Sequence, residues 1–160
     1  MRTTLVTLLF LVFISCKNNS TEAGENEDTL MEESDSVLLT ADKLPWIAEY
    51  DTVKGEFALK KQRVVPETET AQKLITDIND AWENVKLVFR KVSNDTLYVA
   101  IPQSEFLTER MGSSGSAEYM ATTTYILTEL KNIKFVNYSF KEGEHLSPGV
   151  FDRADFKDFH

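Results

Sequence analysis

The sequence predicts an α+β domain: a two-layer arrangement in which a mixed β-sheet carries two helices packed on one face. Three observations predict it. Apolar residues recur three and four apart in two stretches, they cluster with β-branched and aromatic neighbours in short runs elsewhere, and turn-forming residues separate the runs. The resulting order is strands, helix, hairpin, helix, strand.

"LLTADKLPWIAEYD" is weakly patterned and fits an edge strand or a covering segment, because Pro45 lacks the N–H that a central strand uses. "GEFALKKQRVV" brings Phe57, Leu59, Val64 and Val65 into a strand with an irregular middle, stopped by Pro66. In "ETETAQKLITDINDAWEN" the residues Ala71, Leu74, Ile75, Ile78, Ala81 and Trp82 form one helical stripe opposite Asp77, Asp80 and Glu83. Thr68 or Thr70 is placed to cap that helix. "VKLVFRKVSNDTLYVAIP" reads as a hairpin whose two runs flank a tight turn at Ser93-Asn94-Asp95.

Gly112 to Ser116 is expected to be a flexible loop, with a second helix beginning at Ala117 and burying Met120, Ala121, Thr124, Ile126, Leu127 and Leu130. Ser114 or Ser116 is positioned to cap it, and Glu118 suits the positive end of its dipole. Thr122, Thr123 and Thr124 lower its intrinsic propensity, and Asn132 ends it. "IKFVNYSF" gives a further strand, "KEGEHL" a turn around Gly143, and Pro148-Gly149 breaks the chain before "VFDRADFKDFH".

The chain opens on "MRTTLVTLLFLVFISC", with one cation at Arg2 and an apolar run from Leu5 to Ile14. A run of about ten residues is short for a bilayer core of roughly 30 Å and reads as a signal peptide over residues 1–15. Phe13-Ile14-Ser15-Cys16 resembles a bacterial lipobox, which implies cleavage before Cys16, acylation of its thiol and attachment to the membrane through lipid. Two or more acyl chains hold firmly, since each buried methylene contributes about 0.8 kcal/mol. Cys16 is the chain's one cysteine, so no internal disulfide forms. Lys17 to Ser36 carries seven acidic residues and one basic one, the composition of a disordered acidic tether over 16–36. Residues 37–160 are then enough for a single domain.

The formal net charge is −9, and it becomes more negative when Arg2 leaves. Such a balance argues against nucleic acid and against electrostatic adhesion to anionic lipid heads. Catalytic chemistry finds few of its usual parts. A serine nucleophile needs an oriented imidazole, and only His145 and His160 are available, so a serine- or carboxylate-dependent hydrolase requires His145 to approach a serine such as Ser113 or Ser114, or a carboxylate, in a cleft. No zinc-ligand spacing occurs, and no cofactor is expected. Asp152, Asp155 and Asp158 recur every third residue and fit a solvated acidic face opposite Phe151, Ala154 and Phe159 better than a hard-metal site. "GSSGS" lacks the Lys and the spacing of a nucleotide loop.

From about Phe57 to Gly143 the chain resembles the GerMN domain, a sporulation and germination module also found in extracytoplasmic lipoproteins. The likeness lies in "LKKQRVV" (Leu59 to Val65), in "LYVAIPQSEF" (Leu97 to Phe106) with Ser104 at the family's Ser, and in the small residues Gly112, Ser113, Gly115 and Ser116. It continues in "YILTEL" (Tyr125 to Leu130), where Ile126 stands at a Thr position, and in "IKFVNYSFKEG", which ends at Gly143. The family's Gly and Pro rich link after the first helix has no counterpart in "NDAWENVKLV". The resemblance implies a noncatalytic envelope module that binds peptidoglycan or an envelope protein; the residues after Cys16, "KNNS", lack the immediate acidic run of surface-directed lipoproteins, so the anchored domain is expected to face the periplasm. It singles out Ser104 and the loop Gly112, Ser113, Ser114, Gly115, Ser116 as the candidate contact surface, and Tyr125, Thr128 and Gly143 as recurrent positions. A glycan ligand predicts a groove lined by aromatics and amides near that loop, whereas a protein partner predicts an apolar patch or an unpaired sheet edge.

Overall fold

The computed structural model describes residues 44–159. The expected signal peptide, Cys16, the acidic tether, residues 37–43 and His160 lie outside the described residues.

The fold is α+β. Strands β1 (Trp46–Asp51) and β2 (Glu56–Lys61) form an antiparallel ribbon. Helix α1 (Ala71–Ala81) follows, then the hairpin β3 (Val88–Ser93) and β4 (Thr96–Ala100). A π-helical turn (Phe106–Arg110) leads into helix α2 (Gly112–Leu127). Strands β5 (Phe135–Ser139) and β6 (Gly149–Phe151) and a short 3-10 turn (Arg153–Phe156) complete the chain. The four later strands form one sheet in the order β3-β4-β5-β6, mixed as predicted, because β4 and β5 run parallel while the outer pairs are antiparallel.

Each element has a local cause. Thr70 caps α1 by accepting from the Lys73 N–H at 3.2 Å, and Leu74, Ile75 and Ile78 form its buried stripe. The β3–β4 turn is the expected one, with Asn94 at φ +55°, a left-handed conformation that Asn tolerates. Helix α2 ends at Leu127, earlier than predicted, and Asn132 at φ +67° turns the chain toward β5. The strand expected through Val65 stops at Lys61; Val64 lies exposed in irregular chain.

One face of the four-stranded sheet presents Leu97, Val99, Val136 and Tyr138, all fully buried, to the helices. The β1–β2 ribbon is not part of that sheet; it lies along α2. The outer edge of β1 finds its partners on helical side chains: Ala48 N–H donates to Thr122 Oγ1 (2.8 Å) and Tyr50 N–H to a Glu118 carboxylate oxygen (2.6 Å). Residues 118 and 122 lie one turn apart on one helix face, so α2 acts as a surrogate strand. Thr124, about 200° around the axis from Thr122, points instead to the Tyr138 hydroxyl at 3.1 Å, joined by Thr123 at 2.9 Å. Helix α2 is therefore covered on several sides, and its three threonines are all fully buried. Their low helix propensity is outweighed by the hydrogen bonds they close inside the core.

Candidate functional site

The predicted contact residues fall into two clusters at opposite ends of α2. At its N-terminal end, Gly112 to Ser116 is the first part of the helix and not a loop. The chain reaches it already helical, with Glu105 and Met111 in αR conformation and the Met111 N–H bonded to Phe106 O across the π-turn. Gly112 at φ +69° lets the axis change at that junction. The expected caps are not used, because Met111 is the N-cap and makes no side-chain bond. Ser116 is buried and donates back to Leu107 O (2.5 Å) and Gly112 O (2.9 Å), and Glu118 serves the ribbon.

Ser104, also buried, donates to Lys141 O at 2.9 Å, while its own carbonyl accepts from the Thr108 N–H and hydroxyl. The β5–β6 connection is fastened to this corner at further points. His145 N–H donates to Thr108 O, and Glu144 N–H to Glu109 Oε1. A Cβ at Gly143 would lie 2.6 Å from Thr108 Cβ and in contact with Glu109 Oε1, so only glycine permits this approach. The structure thus brings Ser104, the start of α2 and Gly143 together, but as a packed, internally bonded joint. Beside it lies an open groove of about 510 Å³, lined by Ser104, Thr108, Gln103, Pro102, Lys141 and the carboxylates of Glu105, Glu109 and Glu142. Among the described residues no aromatic side chain lines it.

Ser113 and Ser114 remain exposed. Ser113 Oγ lies 3.3 Å from His145 Nδ1, so the histidine does meet a serine. That pair sits outside the groove lining, on the surface. No carboxylate orients His145 among the described hydrogen bonds and ion pairs, so the arrangement offers a polar surface contact, with the third member of a triad missing.

At the C-terminal end of α2, Tyr125 and Thr128 belong to a different structure, centred on Arg153. Its guanidinium donates to Thr128 Oγ1 (2.9 Å), Tyr125 O (3.1 Å) and Glu129 Oε1 (2.7 Å), and it lies over the Tyr125 and Trp46 rings. Trp46 Nε1 donates to Glu129 Oε1 at 3.0 Å, and Lys61 Nζ lies 3.1 Å from Glu129 Oε2. A cation suits the negative end of the helix dipole, and here it also ties the ribbon and the C-terminal segment to that end. Burial of Glu129 raises its pKa, but hydrogen bonds from Arg153, Trp46 and Lys61 outweigh this and leave it below the ordinary 4.5. Glu118 goes the other way. Burial raises it above 4.5, the Tyr50 N–H opposes this, and the nearby Glu49 charge adds to the rise.

The acidic tail is used for capping. Asp152 accepts from the Ala154 N–H, and Asp155 Oδ2 accepts from the Asp152 N–H, a capping box. Its packed side is Phe151, Phe156 and Phe159; Ala154, expected there, is exposed. Among the described residues no group of His, Cys, Asp or Glu is arranged to hold a metal ion.

Sequence reasoning missed Arg153, Trp46 and Glu129, which are separated by most of the domain in sequence and leave no local pattern. It also missed Tyr119, a fully buried residue whose hydroxyl finds no partner among the described residues and whose pKa is driven well above 10.0 by burial and by Tyr138. No family model matches the chain, and neither a curated protein nor a solved structure matches it.

Proposed function

We propose that this chain is a lipid-anchored protein of a bacterial cell envelope, carrying a GerMN-like domain that faces the periplasm and acts by noncovalent binding to a protein partner. The anchor rests on Phe13-Ile14-Ser15-Cys16 and the apolar run before it. The observation that carries the protein-partner reading is the edge of β3, where among the described residues no strand neighbours one side of Val88–Ser93 and Val92 is 48% exposed. An unpaired edge offers backbone hydrogen bonds to an incoming strand.

Peptidoglycan is the second reading, and the groove at Ser104 favours it. Its Gln103 amide, its hydroxyls and its volume suit a polar ligand, and it adjoins the residues marked by the family resemblance. The lack of a ring for stacking on a sugar places it second.

Two measurements on the full chain test these readings. Fractionation of wild type and Cys16→Ser is expected to move the protein from membranes to the soluble fraction, and a soluble wild type would sink the anchor. The Cys16→Ser chain, incubated with purified peptidoglycan sacculi at low and physiological ionic strength, is expected to remain unbound. Retention that persists at the higher salt and is lost in Gln103→Ala would put the glycan reading first.

A further inference from the structure

We infer that the free edge of β3 accepts an extended acidic segment of a partner protein as an added strand, with Lys86, Arg90 and Lys91 selecting for its negative charge. This rests on the protein-partner reading above and specifies its chemistry.

Charge distribution is the first argument. The chain is strongly acidic, and most described cations sit against a carboxylate. The described cations without one are Lys86, Arg90, Lys91, Lys141 and Lys157, and the first three flank or occupy β3. Lys86 Nζ reaches the Asn79 carbonyl on α1, and Lys91 Nζ lies 4.7 Å from the ring centroid of Tyr98 on the neighbouring strand β4; neither contact neutralises the ammonium group. Arg90 is exposed at the register shift between Phe89 and Lys91.

The second argument is packing. Val92 pairs with Leu97, and cross-strand partners share a face, so Val92 stands on the side that the helices bury elsewhere. Leu97 is fully buried and Val92 is 48% exposed, so the helical layer stops short of the edge. An added strand would cover this side chain. The edge also has a definite beginning, because the Asn79 side chain bonds both the N–H and the C=O of Leu87, occupying the position just before β3.

Charges on an edge also serve to prevent aggregation, and that function decides which partner is admitted. Two copies of β3 laid antiparallel would oppose Arg90 and Lys91 to their own equivalents, so a second copy is disfavoured. An acidic strand meets attraction at the same places.

The test uses the full Cys16→Ser chain and two synthetic peptides, one alternating Glu and Val and one alternating Lys and Val, followed by fluorescence anisotropy and by amide chemical shifts. The expected result is binding of the Glu-Val peptide that weakens with salt, at least about tenfold weaker binding of the Lys-Val peptide, and shifts centred on Val88–Ser93. The double variant Arg90→Glu, Lys91→Glu, checked for unchanged circular dichroism, should invert the preference. Equal binding of the two peptides, binding of neither, or shifts centred elsewhere would overturn the inference. Association with anionic phospholipid vesicles in the absence of Glu-Val binding would overturn it in favour of a membrane contact. If the Cys16→Ser chain binds neither peptide while the wild-type chain still fractionates with membranes, the acidic-strand inference is lost and the anchored-lipoprotein reading is kept.

Discussion

The two ends of α2 solve the same problem, fastening a distant segment to a helix terminus, by opposite means. At the N-terminal end the joint is made of small residues: Ser104, Thr108, Ser116 and Gly143 bring backbones together, and their bonds run mostly to carbonyls. At the C-terminal end long side chains span the gap, with Arg153, Glu129, Lys61 and Trp46 meeting through charge and ring faces. A joint of the first kind has no room to relax. The second is partly exposed and redundant, since Glu129 keeps two other donors if one is lost. Damage should therefore be more severe at the first.

Gly143→Val is expected to give the largest loss. The added carbons meet the buried Thr108 and the Glu109 carboxylate, and overpacking of this kind costs about 3 kcal/mol at the upper end of its usual range. Denaturant unfolding of the full chain would show it as a lowered midpoint at unchanged slope. A loss below that of any C-terminal variant would contradict the contrast drawn between the two joints.

Arg153→Met is the matching change at the other end, and it should cost about 1–2 kcal/mol, discounted because Arg153 is 40% exposed. Its pH dependence is more diagnostic than its size. Glu129 has a folded-state pKa below its ordinary value, so the stability it contributes is present above about pH 4.5 and is lost as pH falls through the lower folded value. Removing Arg153 should flatten this acid loss. Glu118 contributes with the opposite sign, because its raised folded pKa makes the folded state bind the proton more tightly, and stability rises as pH falls through that value. Glu118→Gln should accordingly steepen the acid loss that Arg153→Met flattens, which unfolding midpoints between about pH 3 and 6 would resolve.

Much of this was legible in the sequence, for reasons that can be assigned. The stripe of α1, the Thr70 cap and the Asn94 turn rest on contacts within a few residues, and periodicity reports those directly. Helix α2 misled at its start because "GSSGS" carries a loop's composition, while the π-turn that delivers the chain in helical conformation has no such signature. The Arg153 cluster was invisible because it joins residues from 46 to 153, and no local pattern encodes such a pairing. Tyr125 and Thr128 were singled out only by likeness to a family, not by any pattern of their own, and the structure packs them beside Arg153. Three consecutive threonines, read as a weakness of the helix, were the one local sign of its buried polar face.

That polar face allows a smaller comparison between two buried tyrosines. Tyr138 shares its hydroxyl with Thr123 and Thr124, and burial pushes its pKa up to about 12 against the lowering by those two bonds. Tyr138→Phe should leave two threonine hydroxyls without that partner, at about 1 kcal/mol. Tyr119 bonds nothing through its hydroxyl, so Tyr119→Phe should be neutral or stabilising. Equal losses in the two variants would mean that Tyr119 does have a partner, such as a bound water.

The smallest effects lie within "GSSGS" itself, where two glycines three residues apart should respond with opposite sign. Gly112 has open space where a Cβ would stand but sits at φ +69°, so Gly112→Ala is strained by its backbone alone and should cost about 1 kcal/mol. Gly115 lies inside the helix, and its added methyl would meet Met111 Cβ at 3.2 Å, a contact a few tenths of an ångström too close. Alanine in place of glycine within a helix gains about 0.5–1 kcal/mol, and Met111 is a half-buried, flexible neighbour able to yield. Gly115→Ala should therefore raise the unfolding midpoint slightly while Gly112→Ala lowers it. If both raised it, the junction between the π-turn and α2 would not require a left-handed residue, and the stretch would be the mobile loop its composition suggests.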